Sequence, residues 1–117
     1  MKKIYHLSTC NTCQRIISEI NPSDDVIMQD IKSEPMTLSQ VEEMKEMEGS
    51  YEALFSKRAQ LYRKRGLNEQ TLSEEDYKNL ILEHYTFLKR PVMIVNDAIF
   101  VGNSKKVVAA AVEAFAK

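Results

Sequence analysis

The chain has 117 residues, 44% of them hydrophobic and 28% charged, with a formal net charge of −1. That length holds one globular domain with a modest core and leaves no room for a second. The near-zero charge excludes a global basic field for nucleic acid, so direct DNA binding is disfavoured, and no apolar run reaches the length of a membrane helix. Met1-Lys2-Lys3 leads into a strand, not into the apolar stretch of a signal peptide, so a cytoplasmic protein with reduced thiols at rest is expected.

Lys3-Ile4-Tyr5-His6-Leu7 reads as the first strand, and Ser8-Thr9 supplies small polar residues suited to a turn or a helix cap. Cys13, Ile16, Ile17 and Ile20 recur at helical spacing, so a helix begins inside Cys10-Asn11-Thr12-Cys13. Asn21-Pro22-Ser23-Asp24-Asp25 breaks it, and Val26-Ile27-Met28 forms a second strand, which completes a right-handed βαβ unit. After Pro35, Ser39 and Glu42 suggest a capping box for a helix with Val41, Met44 and Met47 on one face, ended by Gly49. Tyr51, Leu54, Phe55, Arg58 and Tyr62 continue at helical spacing, which puts Arg58 in an apolar stripe. Gly66 and Asn68 mark a break, and Ser73 caps a helix carrying Tyr77, Leu80, Ile81 and His84, the last read as a satisfied, partly buried histidine. Val92–Val95, a tight Asn96-Asp97 turn and Ala98–Val101 make an antiparallel hairpin. A last helix follows Gly102-Asn103-Ser104, with Val107, Val108, Ala111, Val112 and Phe115 inward.

The expected order is therefore βαβ, a helical insert at about 37–88, then ββα, all in one domain over 1–117. A four-stranded mixed sheet with CxxC after its first strand is the layout of the thioredoxin-like α/β fold. In that fold a proline before the third strand faces the thiols, usually through a cis peptide. Pro91 occupies that place.

Both cysteines of the chain lie in the CxxC. At a helix N-terminus the unpaired backbone N–H groups and the positive dipole end favour a Cys10 thiolate, while Cys13, one turn in, faces the core. That asymmetry suits an attacking sulfur and a resolving one. Zinc would need about four ligands, and His6 and His84 lack a paired spacing. A structural disulfide would close only a tiny loop, and two unrelated core cysteines remain the third alternative. Asn11 and Thr12 would add backbone N–H groups and a side-chain donor, an anion-binding loop in miniature. Arg58, on an apolar face, must snorkel, pair with an acid or face an anionic site. Arg90 is the second cation placed to stabilise a Cys10 thiolate or an oxyanion. Lys57, Arg58, Arg63, Lys64 and Arg65, with Tyr62 among them, could form a protein-docking or nucleic-acid patch, the near-zero net charge favouring a protein partner, although such runs are more often solvated helix faces.

The CxxC near the N-terminus, Phe55-Ser56-Lys57-Arg58, Leu88-Lys89-Arg90-Pro91-Val92 and Val101-Gly102-Asn103 together resemble the arsenate reductase (ArsC)/Spx family over about Ile4 to Phe115. The resemblance implies a thioredoxin-like core with a helical insert and a catalytic or redox cysteine at Cys10. Glutaredoxin-coupled arsenate reductases carry three arginines for the oxyanion. Here Arg90 matches, the early insert position is Ser56 with Arg58 two residues later, and the third is replaced near Asn103. Regulators of the Spx type have a CxxC redox switch and bind RNA polymerase, and their Ser-Thr-Arg segment resembles Ser56-Lys57-Arg58. The implied chemistry is attack by Cys10 and resolution by Cys13, with glutathione, glutaredoxin or thioredoxin as reductant, a small disulfide or oxyanion as substrate, and no bound metal or organic cofactor.

Overall fold

A computed structural model describes residues 1–117. Four strands and five α-helices run in the order β1 (Lys2–His6), α1 (Asn11–Ile20), β2 (Ile27–Asp30), α2 (Leu38–Glu48), α3 (Gln60–Lys64), α4 (Glu74–Glu83), β3 (Val92–Val95), β4 (Ala98–Val101) and α5 (Lys105–Ala116). The residues divide into two compact units, Met1–Glu34 with Arg90–Lys117, and Pro35–Lys89.

The first unit holds a single sheet in the order β2-β1-β3-β4. β1 pairs in parallel with β2 and antiparallel with β3, and β3 pairs antiparallel with β4, so this is the mixed thioredoxin-like sheet the sequence predicts. β3 reads Val-Met-Ile-Val and is buried at all four positions, as a central strand covered on both faces must be. One sheet face packs Ile4 and Met93 against Ile16 and Ile20 of α1 and Val108 and Ala111 of α5. With Val26, which belongs to the same cluster, burying these seven side chains is worth on the order of 10 kcal/mol before chain entropy is counted. Asn96 takes a left-handed φ of 53° at the hairpin turn, where asparagine is tolerated. The second strand is Ile27–Asp30, shifted towards the C-terminus from the predicted Val26–Met28.

The second unit spans the stretch read as helical insert. Its α2 is capped by Thr37, not Ser39: the Thr37 hydroxyl accepts from the Gln40 N–H, and the Gln40 side chain accepts from the Thr37 N–H. Ser39 lies inside the first turn. Ser73 caps α4 as expected, with Asp76 returning the bond. The continuous helix expected over Tyr51–Tyr62 is absent. The Glu74 carboxylate accepts from the N–H groups of Tyr51 and Glu52, a 3-10 turn covers Glu52–Leu54, and Phe55 is extended. Phe55 bridges Leu88, and its ring packs on Phe87, Tyr77 and Tyr62 at centroid distances of 5.3, 4.9 and 5.6 Å. The helical spacing of those aromatics thus reflects a shared core and not one helix.

Candidate functional site

Cys10 is the N-cap of α1, with extended backbone (φ −92°, ψ 113°), because the chain must leave β1 and turn before helical hydrogen bonds can begin. Two contacts pin this loop. The Cys10 N–H donates to the Leu7 carbonyl at 3.0 Å, and the Ser8 hydroxyl donates to Asp30 of β2 at 2.6 Å. Gln14 reaches back to the same Leu7 carbonyl from the helix, at 3.5 Å. From the sequence Ser8 is a turn or cap residue, with no sign of its bond to Asp30, and Gln14 carries no assignment; a polar residue four positions after Cys10, one helical turn on, is the only local signal for the second.

The two thiols are free and differ as the spacing predicts: Cys10 is partly exposed and Cys13 fully buried. Desolvation alone would raise the Cys10 pKa. The Cys13 N–H and thiol, the Arg90 guanidinium and the Thr12 N–H outweigh it together and hold Cys10 below the ordinary thiol value. For Cys13, burial dominates and the adjacent Cys10 adds to it; the Leu7 backbone and Arg90 pull the other way, and the thiol is pushed up to about 11. Cys10 makes no conventional side-chain cap of α1.

The first unit therefore brings together Cys10, Thr12, Cys13 and Arg90. Thr12 contributes its backbone N–H. Asn11 is exposed at the first helical position. The Arg90–Pro91 peptide is cis, and the Pro91 carbonyl accepts from the Gly102 N–H at 3.0 Å. Gly102 itself has φ 94°, a conformation that favours glycine. Arg58 belongs to the second unit, where it is an exposed turn residue and not part of an apolar helical stripe. Of the basic run, Lys57 pairs with Glu52 at 2.9 Å and Arg65 with Glu83 at 2.6 Å, which leaves Arg58, Arg63 and Lys64 as the cations of that surface without such a pair. His84 caps the 3-10 turn Tyr85–Phe87 through Nδ1, which accepts from the Thr86 N–H. No cluster of three or more histidine, cysteine, aspartate or glutamate side chains is placed to hold a metal ion, and no helix is long and apolar enough to cross a membrane.

Comparison with known proteins points to one family. The family model described as the ArsC family matches residues 5–111. The global transcriptional regulator Spx of Bacillus subtilis (strain 168) is 24% identical over 104 residues, which cover 87% of this chain and 79% of that protein. The structure of a possible arsenate reductase from Streptococcus mutans UA159 is 27% identical, with a TM-score of 0.71 over 90% of this chain and 92% of that one. The arsenate reductase from Vibrio cholerae aligns with a TM-score of 0.73 over 96% and 95% of the two chains; at 17% identity that likeness is one of fold. Since the family match begins in β1 and ends in α5, enclosing the CxxC, the cis-proline and the thioredoxin-like sheet, the chain belongs to the ArsC family.

Proposed function

We propose that this protein is a dithiol oxidoreductase in which Cys10 attacks and Cys13 resolves. One observation carries the reading: the partly exposed thiol at the helix start is held below its ordinary pKa, while its buried partner is pushed to about 11. The Cys10 thiolate attacks a substrate disulfide RSSR, forming Cys10–S–SR and releasing RS⁻. Cys13 then attacks the Cys10 sulfur, its proton passing to a released thiolate, so that one dithiol and one disulfide become a Cys10–Cys13 disulfide and two thiols. Glutathione, glutaredoxin or thioredoxin returns the dithiol. A cytoplasmic setting with reduced thiols at rest goes with this cycle.

Arsenate is the weaker substrate on this reading. Three bidentate guanidinium groups suit a dianionic oxyanion, and at the loop before α5 this chain has Asn103 where the resemblance implies an arginine. Arg90 serves the Cys10 thiolate, Thr12 and Asn11 the incoming anion, Pro91 lines the thiol loop, and Arg58 remains the oxyanion- or partner-facing cation that the resemblance implies. The test is an NADPH-coupled assay on small disulfides and on arsenate, with Cys10→Ser and Cys13→Ser variants. Disulfide reduction that needs both cysteines, with little arsenate turnover, is expected; robust arsenate reduction needing Cys10 but not Cys13 would overturn it.

The similarity to a transcriptional regulator supports a second reading, a redox-sensing adaptor that engages RNA polymerase and turns over nothing. Arg58, Arg63 and Lys64 would then offer the docking cations. Silence on every substrate, together with oxidation-dependent binding of purified RNA polymerase, would decide for the adaptor.

A further inference from the structure

β2 forms one edge of the sheet: it pairs with β1 on one side and with no strand on the other. An edge strand presents unpaired backbone N–H and C=O groups to any strand that can match them. On this edge Ile27 and Met28 are 48% and 40% exposed, although both are large and apolar.

Successive residues of a strand turn their backbone groups to opposite sides, so one hydrogen bond fixes the pattern of the whole edge. The Ile31 N–H donates to the His6 carbonyl of β1 at 2.9 Å; Ile27, Gln29 and Ile31 therefore bond towards β1, while Val26, Met28 and Asp30 turn outward. Two outward groups are already used: the Val26 N–H donates to the Ser23 carbonyl at 3.1 Å, and the Asp30 carbonyl accepts from the Glu34 N–H at 2.8 Å. The edge still offers the N–H and carbonyl of Met28, the carbonyl of Val26 and the N–H of Asp30.

That set is complementary to itself. In an antiparallel copy placed with Met28 opposite Met28, the two methionines exchange both of their backbone bonds, and the Asp30 N–H of each copy reaches the Val26 carbonyl of the other. Centring the pair on Ile27 instead opposes the Met28 carbonyl to the occupied Val26 N–H, and centring it on Gln29 opposes the Met28 N–H to the occupied Asp30 carbonyl. Charge selects the same register. Asp24 and Lys32, both exposed, lie four residues before and four after Met28, so each Asp24 faces the other copy's Lys32. Met28 stands beside Ile4 on the sheet face that packs against α1 and α5, and the paired methionines continue that apolar layer across the two-fold axis. Such a pair closes on itself, whereas joining β2 to β4 would leave an open edge at each end and build a fibre.

We infer that the β2 edge is an interface for a second copy of this chain, an antiparallel β2–β2 pair centred on Met28 that joins two four-stranded sheets into one. The surface does not depend on the dithiol cycle proposed above. Its paired segment, residues 26–30, is short, so the dimer is a weak, concentration-dependent one.

Sedimentation equilibrium of the full chain under reducing conditions, from about 10 µM to about 1 mM, tests this and should show a monomer–dimer equilibrium. Met28→Lys sets like charges opposite each other at an exposed position, and Asp24→Lys breaks both cross-pairs, so each should weaken association roughly tenfold. The double variant Asp24→Lys/Lys32→Asp exchanges the charges and should recover most of that loss. Ala98→Lys, at the exposed start of the other edge strand, should change nothing. Cross-linking in a Cys10→Ser/Cys13→Ser background, under a glutathione redox buffer, reads the register. Directly opposed residues of a bonded antiparallel pair have Cα atoms about 5.5 Å apart, within disulfide range, so Met28→Cys should give linked dimers. Ile27→Cys, on a residue at least as exposed, faces Gln29 and lies diagonally from its own copy, about 7–8 Å away, and should not. A monomer at every concentration overturns the inference and leaves the edge to a strand of another protein. Dimers that survive Met28→Lys, or that Ile27→Cys links as readily as Met28→Cys, overturn it too, and loss of the dimer in Ala98→Lys alone would move the interface to β4.

Discussion

Removing the buried thiol should erase a specific part of the alkaline instability of this fold. Cys13 has no exposed surface and its thiol is pushed from 9.0 to about 11, first by burial and then by its neighbour Cys10. A raised folded-state pKa means that the fold favours the neutral thiol. Its contribution is fully present below pH 9, where the unfolded chain also keeps the proton, and is lost as pH rises through 11. A shift of two units at 1.36 kcal/mol each gives about 2.7 kcal/mol. In a Cys10→Ser background, which prevents the disulfide and removes the neighbouring charge, about 1–2 kcal/mol should remain. Cys13→Ala in that background should cost about 1–2 kcal/mol at pH 8 through lost sulfur packing. The assay is urea unfolding of the pair at pH 8, 9, 10 and 10.5. The stability gap should narrow steadily above pH 9. Lysines and tyrosines titrate in both proteins and cancel in the difference, so a gap constant with pH would refute the assignment of Cys13 as a buried, raised thiol.

Three further outcomes are expected. Arg90→Ala in a Cys13→Ser background should move Cys10 alkylation to higher pH, because the guanidinium is one of the groups favouring the thiolate; an unmoved titration would leave Arg90 without that role. His6 is held below 6.5 first by desolvation, against the pull of Asp30, and its Nδ1 is buried without a hydrogen-bond partner, so stability should decline as pH falls from 6.5 through the lowered folded pKa, and His6→Gln should flatten that decline in urea titrations. Thr37→Ala should destabilise the protein by about 1 kcal/mol while Ser39→Ala stays within about 0.5 kcal/mol; the reverse ranking would restore the cap predicted from sequence.

What the sequence made legible was local. The switch from a β-prone run to helical spacing placed Cys10 at a helix start, Asn96-Asp97 placed a hairpin, and Ser73 with three acids after it placed a cap. Each signal is written in residues within one turn of the feature. The helix misread over Tyr51–Tyr62 came from contacts between residues distant in sequence, whereas the cap of α2 was misread within a single turn. Tyr51 to Tyr62 has a helix's period, but the Glu74 carboxylate 22 and 23 residues away and the Leu88 bridge hold its backbone in other conformations. Thr37 and Ser39 offer the same chemistry two positions apart, and only the reciprocal bond from Gln40 decides between them. The Ser8–Asp30 bond that pins the thiol loop spans 22 residues and has no local signature.

On the dithiol cycle proposed above, the unequal thiols would also order its two halves. A thiol raised to about 11 is a poor nucleophile near neutral pH, which at first sight argues against Cys13 as the resolving group. Part of that elevation, however, comes from Cys10 itself, through its charge and through the hydrogen bond in which Cys13 serves the Cys10 sulfur. Once Cys10 carries a substrate sulfur it bears no charge and needs no donor. Both contributions then vanish; burial, the largest cause of the elevation, persists, opposed by the Leu7 backbone and the Arg90 guanidinium, which favour the Cys13 thiolate. Arg90, no longer opposite a Cys10 thiolate, becomes available to its partner. In the proposed cycle the first step would thereby lower the barrier to the second, with Cys13 protonated and shielded until there is a mixed disulfide for it to attack. An oxyanion bound at Cys10 would not release it in this way, since negative charge beside Cys13 would persist. The coupling between the two sulfurs is therefore better matched to disulfide exchange than to arsenate.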